Sequence, residues 1–552
     1  MRSHVSKCKR TGALQHWYFP QNCLSQVMPV TEITHQLSAA VRDPRLMRAA
    51  LALYQNRLDE AEPLLRAHLK ASPCDVAAIR MLAELAARIG RLQDAETLLR
   101  RALDLAPDFG AARVNFATVL YRTNRPVEAL AQLDRLDIPR EDGNPNLRAA
   151  VLNRLGEFEE ALALYQNTLA RHPDRAKVWL SYGHVLKTVG RLDDGVAAYR
   201  RALTLEPGYG EAWWSLANLK TVAFTDADRA AMVLALDKSD LAPEDCFHIE
   251  FALGKAWEDA GDPARAFASY ADANAHRRAL IHYDAGETTR RVDRMIATCG
   301  TGYFATAGAS GSTAGDPIFI LGLPRSGSTL VEQILASHSQ VEAIAELPDI
   351  PALWARLAEG YADGSFARFS TLNSAQLRRI GEDYLERVAP QRKTDRLCFI
   401  DKLPNNWFYI GFIKAILPHA RIVDVRREAM SVGFANFRQH FARGQHFTYD
   451  LRDLGHYFRD YLRLMDHFDA IMPGAVHHVS YERMVDDSER EIRALLSALG
   501  LPFEDACLRF YANDRPVRTP SSQQVRSAIY RQGTENWQPF EAWLGPLRDT
   551  LG

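Results

Sequence analysis

The chain has 552 residues, of which 47% are hydrophobic and 24% charged, and its 67 basic and 68 acidic side chains give a formal net charge of −1. This length predicts more than one domain, because single hydrophobic cores stop growing at about 250–300 residues. The ordinary composition excludes a wholly disordered or collagen-like chain. The balanced charge argues against binding to nucleic acid or to a membrane surface through global charge, so any bound anion needs a local site.

The cysteines and the apolar runs indicate the kind of environment in which the chain works. The seven cysteines are odd in number and scattered, without a C-x-x-C pair. This pattern favours a reduced, cytoplasmic protein over a disulfide framework or a zinc site. The longest central apolar run, PIFILGL, has seven residues, far fewer than the roughly twenty of a membrane span. We therefore expect no membrane span.

The first residues of the chain carry no clear structural pattern. Residues 1–27 contain basic side chains but lack both helical periodicity and the continuous apolar segment of a signal peptide. Two interpretations stay open: a disordered extension, or a misassigned start with Met28 as the true initiator. We expect residues 1–39 to form a disordered extension and lead-in.

An internal repeat organises the first half of the chain. Prolines recur with spacings of 34, 32, 34 and 34 residues, at Pro73, Pro107, Pro139, Pro173 and Pro207. A glycine or asparagine lies 15 to 17 residues before each proline, at Asn56, Gly90, Asn124, Gly156 and Gly190. A small residue lies five positions after each of these glycines and asparagines, at Ala61, Ala95, Ala129, Ala161 and Gly195. Because glycine and asparagine enter the left-handed region at low cost, each unit is predicted to be two antiparallel helices joined by a turn there.

This period is that of the tetratricopeptide repeat, and residues 40–280 resemble that family. The helical repeat domain is predicted to span residues 40–299. The resemblance implies an all-α solenoid with a concave groove, because a single helix pair cannot bury its own apolar face. Two roles stay open for such an array: a groove that binds a peptide or protein partner, or a self-packed spacer or dimerisation surface. No side chain recurs at one repeat position strongly enough to nominate groove residues.

The pattern changes after residue 299. Residues 300–316 are rich in Gly, Ala, Ser and Thr and are predicted to be a linker. In residues 317–552, short apolar runs alternate with longer amphipathic stretches such as 451–468 and 484–499, which predicts an α/β domain with a mainly parallel sheet. The apolar runs are Pro317–Leu321, Leu397–Ile400, Arg421–Val425 and Ala475–Val479. Because ligands of such domains bind at the carboxyl ends of the strands, the residues after each run are candidates for the site.

The first run leads into a loop with phosphate-binding spacing. Residues Gly322–Thr329, GLPRSGST, match the Walker A pattern G-x-x-x-x-G-K-[ST] except that Ser328 replaces the lysine. Gly327 permits a close backbone approach, and the amides at the start of the following helix supply donors for an anion. Because the lysine that would reach a triphosphate is absent, a triphosphate is disfavoured, and a single phosphate bearing a sulfate would need less positive charge.

The loop itself supplies positive charge and hydroxyl groups for that anion. The predicted binding residues are Arg325, Ser326, Gly327, Ser328 and Thr329. The alternative is a plain helix start, since Thr329 and Glu332 fit the T-x-x-E capping box. Capping leaves Arg325 and the preceding glycine unexplained, so we favour the anion site.

The PRSGSTL segment resembles the 5′-phosphosulfate loop of sulfotransferases, which use 3′-phosphoadenosine-5′-phosphosulfate (PAPS). The whole arrangement is similar to the tetratricopeptide repeat-containing sulfotransferase family, whose catalytic domain resembles that of the tyrosylprotein sulfotransferases. The resemblance implies a P-loop-type α/β sulfotransferase domain over residues 317–552. Such a domain would transfer a sulfuryl group from PAPS to a hydroxyl acceptor and would need no metal. The acceptor stays open between a peptide tyrosine, a glycan and a small molecule.

The resemblance also implies roles for residues at the ends of the apolar runs. Glu346, in VEAIAELPDI, would be the base that deprotonates the acceptor. Lys402, in DKLPNN, and Ser521 would stabilise the transferring group, and Arg325 would hold the 5′ end of the donor. Tyr481, in HVSYERMV, would contact the donor. The alternatives are solvated surface positions for the glutamate and the lysine, and half-buried packing for the tyrosine.

The nucleotide end of the donor is matched less completely. Arg427 aligns with the family's arginine for the 3′-phosphate, with Arg426 as the adjacent alternative. The family's serine eight positions later is replaced by Ala435, and Ser431 or Asn436 are candidate substitutes. Further predicted neighbours of the nucleotide are Ser522, Gln524, Arg526 and Tyr530.

Two other functions stay open. Asn536 stands where the family usually has a basic residue, and this loss together with Ala435 favours a non-catalytic repeat scaffold, whereas the retained Glu346 and Lys402 oppose it. A kinase that uses ATP on the same loop is disfavoured by the absent lysine. His338 is left out of the site, because a histidine at a helix end is more often structural. His477 and His478 point to opposite faces of one strand, which excludes a joint metal site.

Overall fold

The computed structural model describes residues 42–136, 144–300, 302–304, 311–358, 364–441, 444–515, 524–526 and 536–552, together with 36, 38 and 40. The chain divides into two compact units, residues 1–174 and 175–552. No helix of the described residues is both long and apolar enough to span a membrane. The prediction for residues 1–39, including Met28, falls almost entirely outside the described residues.

The first unit is built from helix pairs. Its helices are α1 (Pro44–Tyr54), α2 (Leu58–Ala71), α3 (Val76–Arg88), α4 (Leu92–Leu105), α5 (Gly110–Arg122), α6 (Pro126–Asp134), α7 (Pro145–Leu155) and α8 (Phe158–Arg171). The predicted turn residues Asn56, Gly90, Asn124 and Gly156 have φ angles of 55°, 85°, 58° and 86°. Each therefore adopts the left-handed conformation that ends one helix and reverses the chain, as the repeat pattern predicts.

Small residues allow the paired helices of this unit to approach each other closely. The side chains of Ala61, Ala95, Ala129 and Ala161 are all 0% exposed. Each lies near the start of the second helix of its pair. Since packed interiors leave few voids, a larger side chain there would push the helices apart.

The second unit begins with further helices of the same kind. They are α9 (Ala176–Thr188), α10 (Leu192–Leu205), α11 (Gly210–Ala217), α12 (Asp226–Leu236), α13 (Pro243–Asp259), α14 (Pro263–Leu280) and α15 (Ala285–Thr298). Gly190 makes the turn between α9 and α10 with a φ of 87°, and Gly261 makes the turn between α13 and α14 with a φ of 75°. Helix pairs joined by a left-handed turn residue are thus also found at the start of the second unit.

The rest of the second unit alternates strands with helices. The strands are β1 (Asp316–Gly322), β2 (Val341–Ala345), β3 (Cys398–Lys402), β4 (Arg421–Arg426) and β5 (Val476–Ser480). The helices are α16 (Ser328–Ala336), α17 (Asp349–Arg356), α18 (Gly364–Phe369), α19 (Ser374–Val388), α20 (Ile410–Ile416), α21 (Ala429–Phe437), α22 (Leu451–Ile471), α23 (Tyr481–Asp486), α24 (Ser488–Ala498) and α25 (Gly545–Leu551). Short 3-10 segments lie at Ala389–Gln391, Pro404–Tyr409, His446–Tyr449, Asp505–Cys507, Phe510–Ala512, Gln524–Arg526 and Gln538–Trp543.

The five strands form one parallel sheet in the order β2-β3-β1-β4-β5. Successive side chains of a strand point to opposite faces. Ile318 and Ile320 therefore pack into one core with residues of α16 and α24, whereas Phe319 and Leu321 pack into another with residues of α19, α20 and α22. Both faces of the sheet are thus covered by helices, as in other parallel sheets.

Two elements differ from the expectations drawn from the sequence. Strand β2 is not predicted, because its run is short and contains Glu342, whose buried carboxylate accepts hydrogen bonds from the amides of Lys393 at 2.5 Å and Thr394 at 3.0 Å. The single amphipathic stretch 484–499 is divided between α23 and α24. It breaks at Asp487, whose φ of −141° is not helical and whose carboxylate accepts from the Arg490 amide as the cap of α24.

The repeat helices and the α/β part of the second unit share a hydrophobic core. Trp214 of α11 and Phe251 of α13 belong to the same buried cluster as Phe434 of α21. Helix α15 is joined to α22 by the Thr289 hydroxyl, which donates to the Asp460 carboxylate at 2.7 Å. This packing brings α11 and α13 against the helix that follows β4.

The expectation that all cysteines are reduced is wrong for one of them. Cys246, Cys299, Cys398 and Cys507 are free thiols, whereas Cys74 is disulfide-bonded. Sequence spacing does not show which sulfur atoms meet in space, so this bond could not be predicted.

Candidate active site

The predicted site residues follow the strands of the sheet. Arg325 lies in the loop after β1, Glu346 follows β2, Lys402 ends β3, Arg427 follows β4 and Tyr481 follows β5. Because all the strands are parallel, their carboxyl ends lie at the same edge of the sheet. The fold therefore brings residues from separated motifs to one edge.

The loop between β1 and α16 depends on two glycines. Gly322 has a φ of 133°, and a Cβ atom there would lie 2.5 Å from the carbonyl oxygen of Val425 on β4. Gly327 has a φ of 102°, and a Cβ atom there would lie 2.5 Å from Cδ2 of Tyr481. Glycine is thus required both for the left-handed backbone and for the close approach of the neighbouring groups.

The tip of this loop forms a cradle. Arg325 has a φ of 68°, a conformation that costs energy for a residue other than glycine. Ser326 is 1% exposed, and its hydroxyl oxygen has no hydrogen-bond partner among the described residues. Helix α16 begins at Ser328, and the first amides of a helix have no intrahelical acceptor. A buried hydroxyl beside a helix start fits the terminal oxygens of an anion.

The capping-box interpretation of this loop is wrong. The cap of α16 is Gly327, and it makes no side-chain cap hydrogen bond. Glu332 is 4% exposed and faces two cations instead. Its carboxylate lies 3.1 Å from Nη1 of Arg515 and 3.9 Å from Nζ of Lys402. Glu332 therefore helps to hold Lys402 at the end of β3 together with Arg515 of a later segment.

Lys402 and Glu346 form an ion pair between the ends of β3 and β2, with Nζ of the lysine against Oε1 of the glutamate. The lysine side chain is 2% exposed, whereas the glutamate side chain is 46% exposed. The carboxylate is therefore open to a molecule that arrives from solvent. A carboxylate in this position can accept a proton, and the buried ammonium can neutralise negative charge that develops beside it.

Arg427 connects the ends of β4 and β5 to the loop between β1 and α16, residues 322–328, which we call the phosphate loop. Its Nη1 donates to the carbonyl oxygen of Arg325 at 3.3 Å, and its guanidinium lies over the ring of Tyr481, 4.8 Å from the ring centroid. Burial lowers the pKa of the Arg427 guanidinium. The expected nucleotide contacts Arg427 and Tyr481 are thus adjacent to each other and to the loop.

The two candidate substitutes for the hydroxyl missing at Ala435 differ in how the fold uses them. Asn436 is 1% exposed, and its Nδ2 donates to the carbonyl oxygens of Pro324 at 2.7 Å and Val432 at 2.8 Å. Ser431 is buried near the start of α21, where its amide donates to the Glu428 carboxylate. Asn436 therefore positions the phosphate loop, and its amide hydrogens are used for that purpose.

The predicted nucleotide loop is described only in part. Ser521, Ser522 and Tyr530 lie outside the described residues. Gln524 and Arg526 lie in a short 3-10 segment. The Arg526 Nη2 donates to the carbonyl oxygen of Arg515 at 3.3 Å, and its guanidinium carbon lies 3.4 Å from where a Cβ atom on Gly190 would be. Arg526 thus lies against the turn between α9 and α10.

Sequence reasoning missed Arg515. Its Nε donates to Oε1 of Gln333 at 2.7 Å, and its Nη1 pairs with Glu332. The residue lies in an irregular segment after the last strand, so no strand end or loop spacing marks it. The available signal is Glu332, because an acidic residue on the buried face of a helix requires a cation beside it.

His338 has a structural role, as expected from the sequence. It is 0% exposed, and its Nε2 contacts the carbonyl oxygen of Pro502 at 2.9 Å. Its Nδ1 accepts from the amide of Gln340 at 3.1 Å. Both ring nitrogens are therefore used within the fold.

One group of potential metal ligands occurs among the described residues. Cys246, Glu250 and His276 place their ligand atoms within 4.8 Å of one another, and the histidine Nδ1 lies 2.8 Å from the glutamate carboxylate. These residues belong to α13 and α14 and not to the strand ends.

Comparison with protein-family models agrees with this architecture. Residues 317–505 match the sulfotransferase family. Residues 46–108, 90–151 and 148–209 match tetratricopeptide repeats. The predicted order of a helical repeat region followed by a sulfotransferase domain with a parallel sheet is confirmed.

Two curated relatives are similar to parts of the chain. An uncharacterized protein of Aquifex aeolicus (strain VF5) is 33% identical over 311 residues, which are 54% of this chain and 41% of that protein. A Caenorhabditis briggsae protein named "Putative protein-tyrosine sulfotransferase" is 24% identical over 234 residues, which are 40% of this chain and 80% of that protein. The chain thus spans about two fifths of the Aquifex protein and four fifths of the Caenorhabditis protein.

Solved structures resemble the two parts separately. The sulfotransferase domain from the Synechococcus PCC 7002 olefin synthase has a TM-score of 0.32 and 22% identity, over 41% of this chain and 88% of that one. YrrB, a tetratricopeptide repeat protein, has a TM-score of 0.25 and 15% identity, over 37% of this chain and 96% of that one. From the family matches, residues 317–505 form a domain of the sulfotransferase family, and the chain joins this domain to preceding tetratricopeptide repeats.

Proposed function

We propose that this protein is a sulfotransferase that transfers a sulfuryl group from PAPS to a hydroxyl acceptor. The observation that carries the proposal is the juxtaposition at the strand ends of an anion cradle, with the buried hydroxyl of Ser326, and the ion pair of Lys402 with Glu346. The match of residues 317–505 to the sulfotransferase family supports the same activity.

We assign the phosphosulfate end of the donor to the loop after β1. Arg325 supplies positive charge there, and the hydroxyls of Ser326, Ser328 and Thr329 supply hydrogen bonds. The amide of Gly327 adds a donor that no side chain obstructs. The nucleotide part is assigned to Arg427 and Tyr481, followed by Ser522, Gln524, Arg526 and Tyr530. A loop without the Walker lysine suits one phosphate joined to a sulfate better than a triphosphate.

The transfer step balances in charge and protons. The acceptor oxygen attacks the sulfur in line, so that an oxygen–sulfur bond forms while the bond from sulfur to the bridging phosphate oxygen breaks. The proton of the acceptor hydroxyl passes to the carboxylate of Glu346. The departing 3′,5′-ADP carries the negative charge, which Lys402 and Arg325 neutralise and to which the hydroxyl of Ser521 donates.

We propose a tyrosine hydroxyl of a peptide or protein as the acceptor, with the repeats as the module that binds its carrier. The exposure of Glu346 supports this choice, because a base open to solvent is accessible to a residue presented by another protein. The name of the Caenorhabditis relative points in the same direction. A cytoplasmic location belongs to this proposal; the free thiols of Cys246, Cys299, Cys398 and Cys507 favour it, whereas the disulfide-bonded Cys74 counts against it.

Calorimetric titration of the full chain with 3′,5′-ADP tests the donor. We expect saturable binding that does not require magnesium and that weakens about tenfold or more in Arg325→Ala, the scale of one charge-assisted hydrogen bond. Arg452→Ala removes an exposed arginine of α22 and should leave binding unchanged. Saturable binding of magnesium-ATP without a response to 3′,5′-ADP would instead support a kinase and overturn the proposal.

An assay with ³⁵S-labelled PAPS tests the acceptor. Label should enter an acidic peptide that contains a tyrosine and should not enter the same peptide with phenylalanine in its place. Transfer to both peptides would rule out the tyrosine hydroxyl as the acceptor.

A further inference from the structure

A cavity of about 170 Å³ lies beside the phosphate loop, within the second unit. One side of it is formed by the repeat helices, through Lys220 just after α11 and Lys255 and Glu258 of α13. The other side is formed by Arg325 of the phosphate loop and Ala435 of α21. The cavity thus shares Arg325 with the site assigned to the phosphosulfate.

Positive charge dominates the wall of this cavity. Its cations are Lys220, Lys255, Arg325 and Arg438. The carboxylate of Glu258 also lines the cavity, but it already accepts hydrogen bonds from the Arg438 guanidinium and, at 2.8 Å, from the Tyr270 hydroxyl. The Lys255 ammonium pairs with Asp259. Two carboxylates are therefore set against four cations.

Lys220 is the least compensated of these cations. Its ammonium group has no hydrogen-bond or ion-pair partner among the described residues, and the charges that act on it most strongly, those of Arg325, Arg438, Lys255 and Lys187, are all positive. Burial and these charges hold the pKa of Lys220 well below its usual value. An ammonium in such surroundings is costly unless an anion binds beside it.

The position of the cavity indicates which anion. The proposed donor carries two anionic groups, and the loop after β1 accounts for the phosphosulfate. Ala435 and Asn536 both line the cavity, and these are the positions at which the family resemblance leads us to expect a serine and a basic residue at the 3′-phosphate. Lys220 and Lys255 of the repeat region thus line the same cavity as the two positions at which this chain lacks the expected serine and basic residue.

We propose that Lys220 and Lys255 of the repeat helices form, with Arg438, the binding site for the 3′-phosphate of the donor. The inference rests on the proposed function and gives the repeats a part in donor binding as well as in partner binding. Arg427, the arginine expected at this phosphate, is linked to the cavity through Arg325, whose carbonyl oxygen accepts a hydrogen bond from Nη1 of Arg427 at 3.3 Å.

Calorimetry with two ligands that differ only in the 3′-phosphate tests this inference. The full chain and the double variant Lys220→Met/Lys255→Met are titrated with 3′,5′-ADP and with 5′-AMP. We expect the variant to bind 3′,5′-ADP at least about tenfold more weakly and to bind 5′-AMP as the wild type does. Lys238→Met, which removes an exposed lysine outside the cavity, should change neither affinity.

The outcomes separate this inference from the proposed function. If the wild type binds neither 3′,5′-ADP nor 5′-AMP, the proposed function itself is overturned. Unchanged binding of 3′,5′-ADP by the double variant would overturn the inference alone, as would an equal loss of affinity for both nucleotides. The inference is also overturned if the double variant binds 3′,5′-ADP as the wild type does but has a raised KM for an acidic peptide acceptor. The cavity would then serve the acceptor.

A second pair of variants keeps the test valid if the double variant folds poorly. Lys220→Arg keeps the charge and is expected to retain the preference for 3′,5′-ADP over 5′-AMP. Lys220→Gln removes the charge and is expected to lose part of that preference while unfolding at the same temperature as the wild type or a higher one. A lower unfolding temperature together with an unchanged preference would show that Lys220 is structural and would overturn its assignment.

Discussion

The buried ammonium of Lys402 pairs with the exposed carboxylate of Glu346 across the ends of neighbouring strands β3 and β2. Glu332 lies 3.9 Å behind the same ammonium, so the lysine is held between an internal acid and an accessible one. This arrangement keeps a cation within the fold while one acid remains open to an acceptor. In the proposed transfer, the two side chains act on different parts of the same reaction.

Replacing Glu346 by glutamine should stop transfer without affecting donor binding. The amide cannot accept the acceptor proton, so we expect the transfer rate to fall by roughly 10²–10⁴-fold. The Kd for 3′,5′-ADP should not change. Rates with ³⁵S-labelled PAPS and calorimetry measure the two effects. Glu386→Gln, which alters an exposed glutamate of α19, is the control. If Glu346→Gln loses binding and transfer together, the residue is structural.

Replacing Gly327 by alanine should disable the phosphate loop. The new Cβ atom would lie 2.5 Å from Cδ2 of Tyr481, so the ring or the loop must move. We expect a loss of about 1–3 kcal/mol in the free energy of unfolding and a large rise in the Kd for 3′,5′-ADP. Urea unfolding and calorimetry measure these changes.

The control for this variant is Gly500→Ala. Gly500 has a φ of 65° but open space around it, so only backbone strain of roughly 1–2 kcal/mol is added. Its nucleotide affinity should not change. Equal losses of stability and unchanged affinity in both variants would show that contact with Tyr481 does not matter.

Replacing Asn436 by leucine should loosen the phosphate loop from a distance. The change leaves the buried carbonyl oxygen of Pro324 without its donor at 2.7 Å, at a cost of about 1–3 kcal/mol. We expect both a lower unfolding free energy and a weaker affinity for 3′,5′-ADP. Asn373→Leu removes the cap of α19 and should lower stability by about 1 kcal/mol with no change in affinity. If the two variants behave alike, Asn436 contributes to stability only.

The stability of the protein should depend on Lys187 at alkaline pH. Burial lowers the pKa of Lys187 to about 8. Between that pH and the ordinary lysine value near 10.4, the unfolded chain binds more protons than the folded one, so stability rises as the pH rises. We therefore expect the wild type to gain on the order of 2 kcal/mol relative to Lys187→Met between pH 8 and pH 10.

Urea unfolding at the two pH values measures this difference, and Lys238→Met provides the comparison with an exposed lysine. The relative stability of wild type and Lys238→Met should be the same at both pH values. A constant difference between wild type and Lys187→Met would mean that the Lys187 ammonium is solvated in the folded protein.

Local rules explain why much of the fold could be predicted. The turn residues Asn56, Gly90, Asn124, Gly156 and Gly190 all have positive φ, because the conformation that ends these helices admits few residue types. The loop after β1 could be predicted in the same way, since a strand, two glycines and a helix start form one contiguous motif. The limits 40–299, 300–316 and 317–552 stay predictions, as do the roles of the site residues.

Contacts between distant segments explain what could not be predicted. Strand β2 is short and carries Glu342, whose burial depends on amides of a later segment. Arg515 is identified only through its ion pair with Glu332. Lys220 belongs to the helical repeats, and no spacing in the sequence relates it to Arg325. These positions acquire their chemistry through tertiary packing and not through a local motif.

The core that joins Trp214 and Phe251 to Phe434 has a consequence for how such chains change during evolution. Repeats in residues 1–174 belong to a separate compact unit and contribute no residue to this core, so we expect that they can be duplicated, lost or exchanged without disturbing it. We expect the helices after residue 175 to change less freely, because their inner faces pack against the sulfotransferase domain in this core. In a lineage of these proteins, the number of repeats should vary at the amino-terminal side while the last helix pairs are inherited with the domain that they contact.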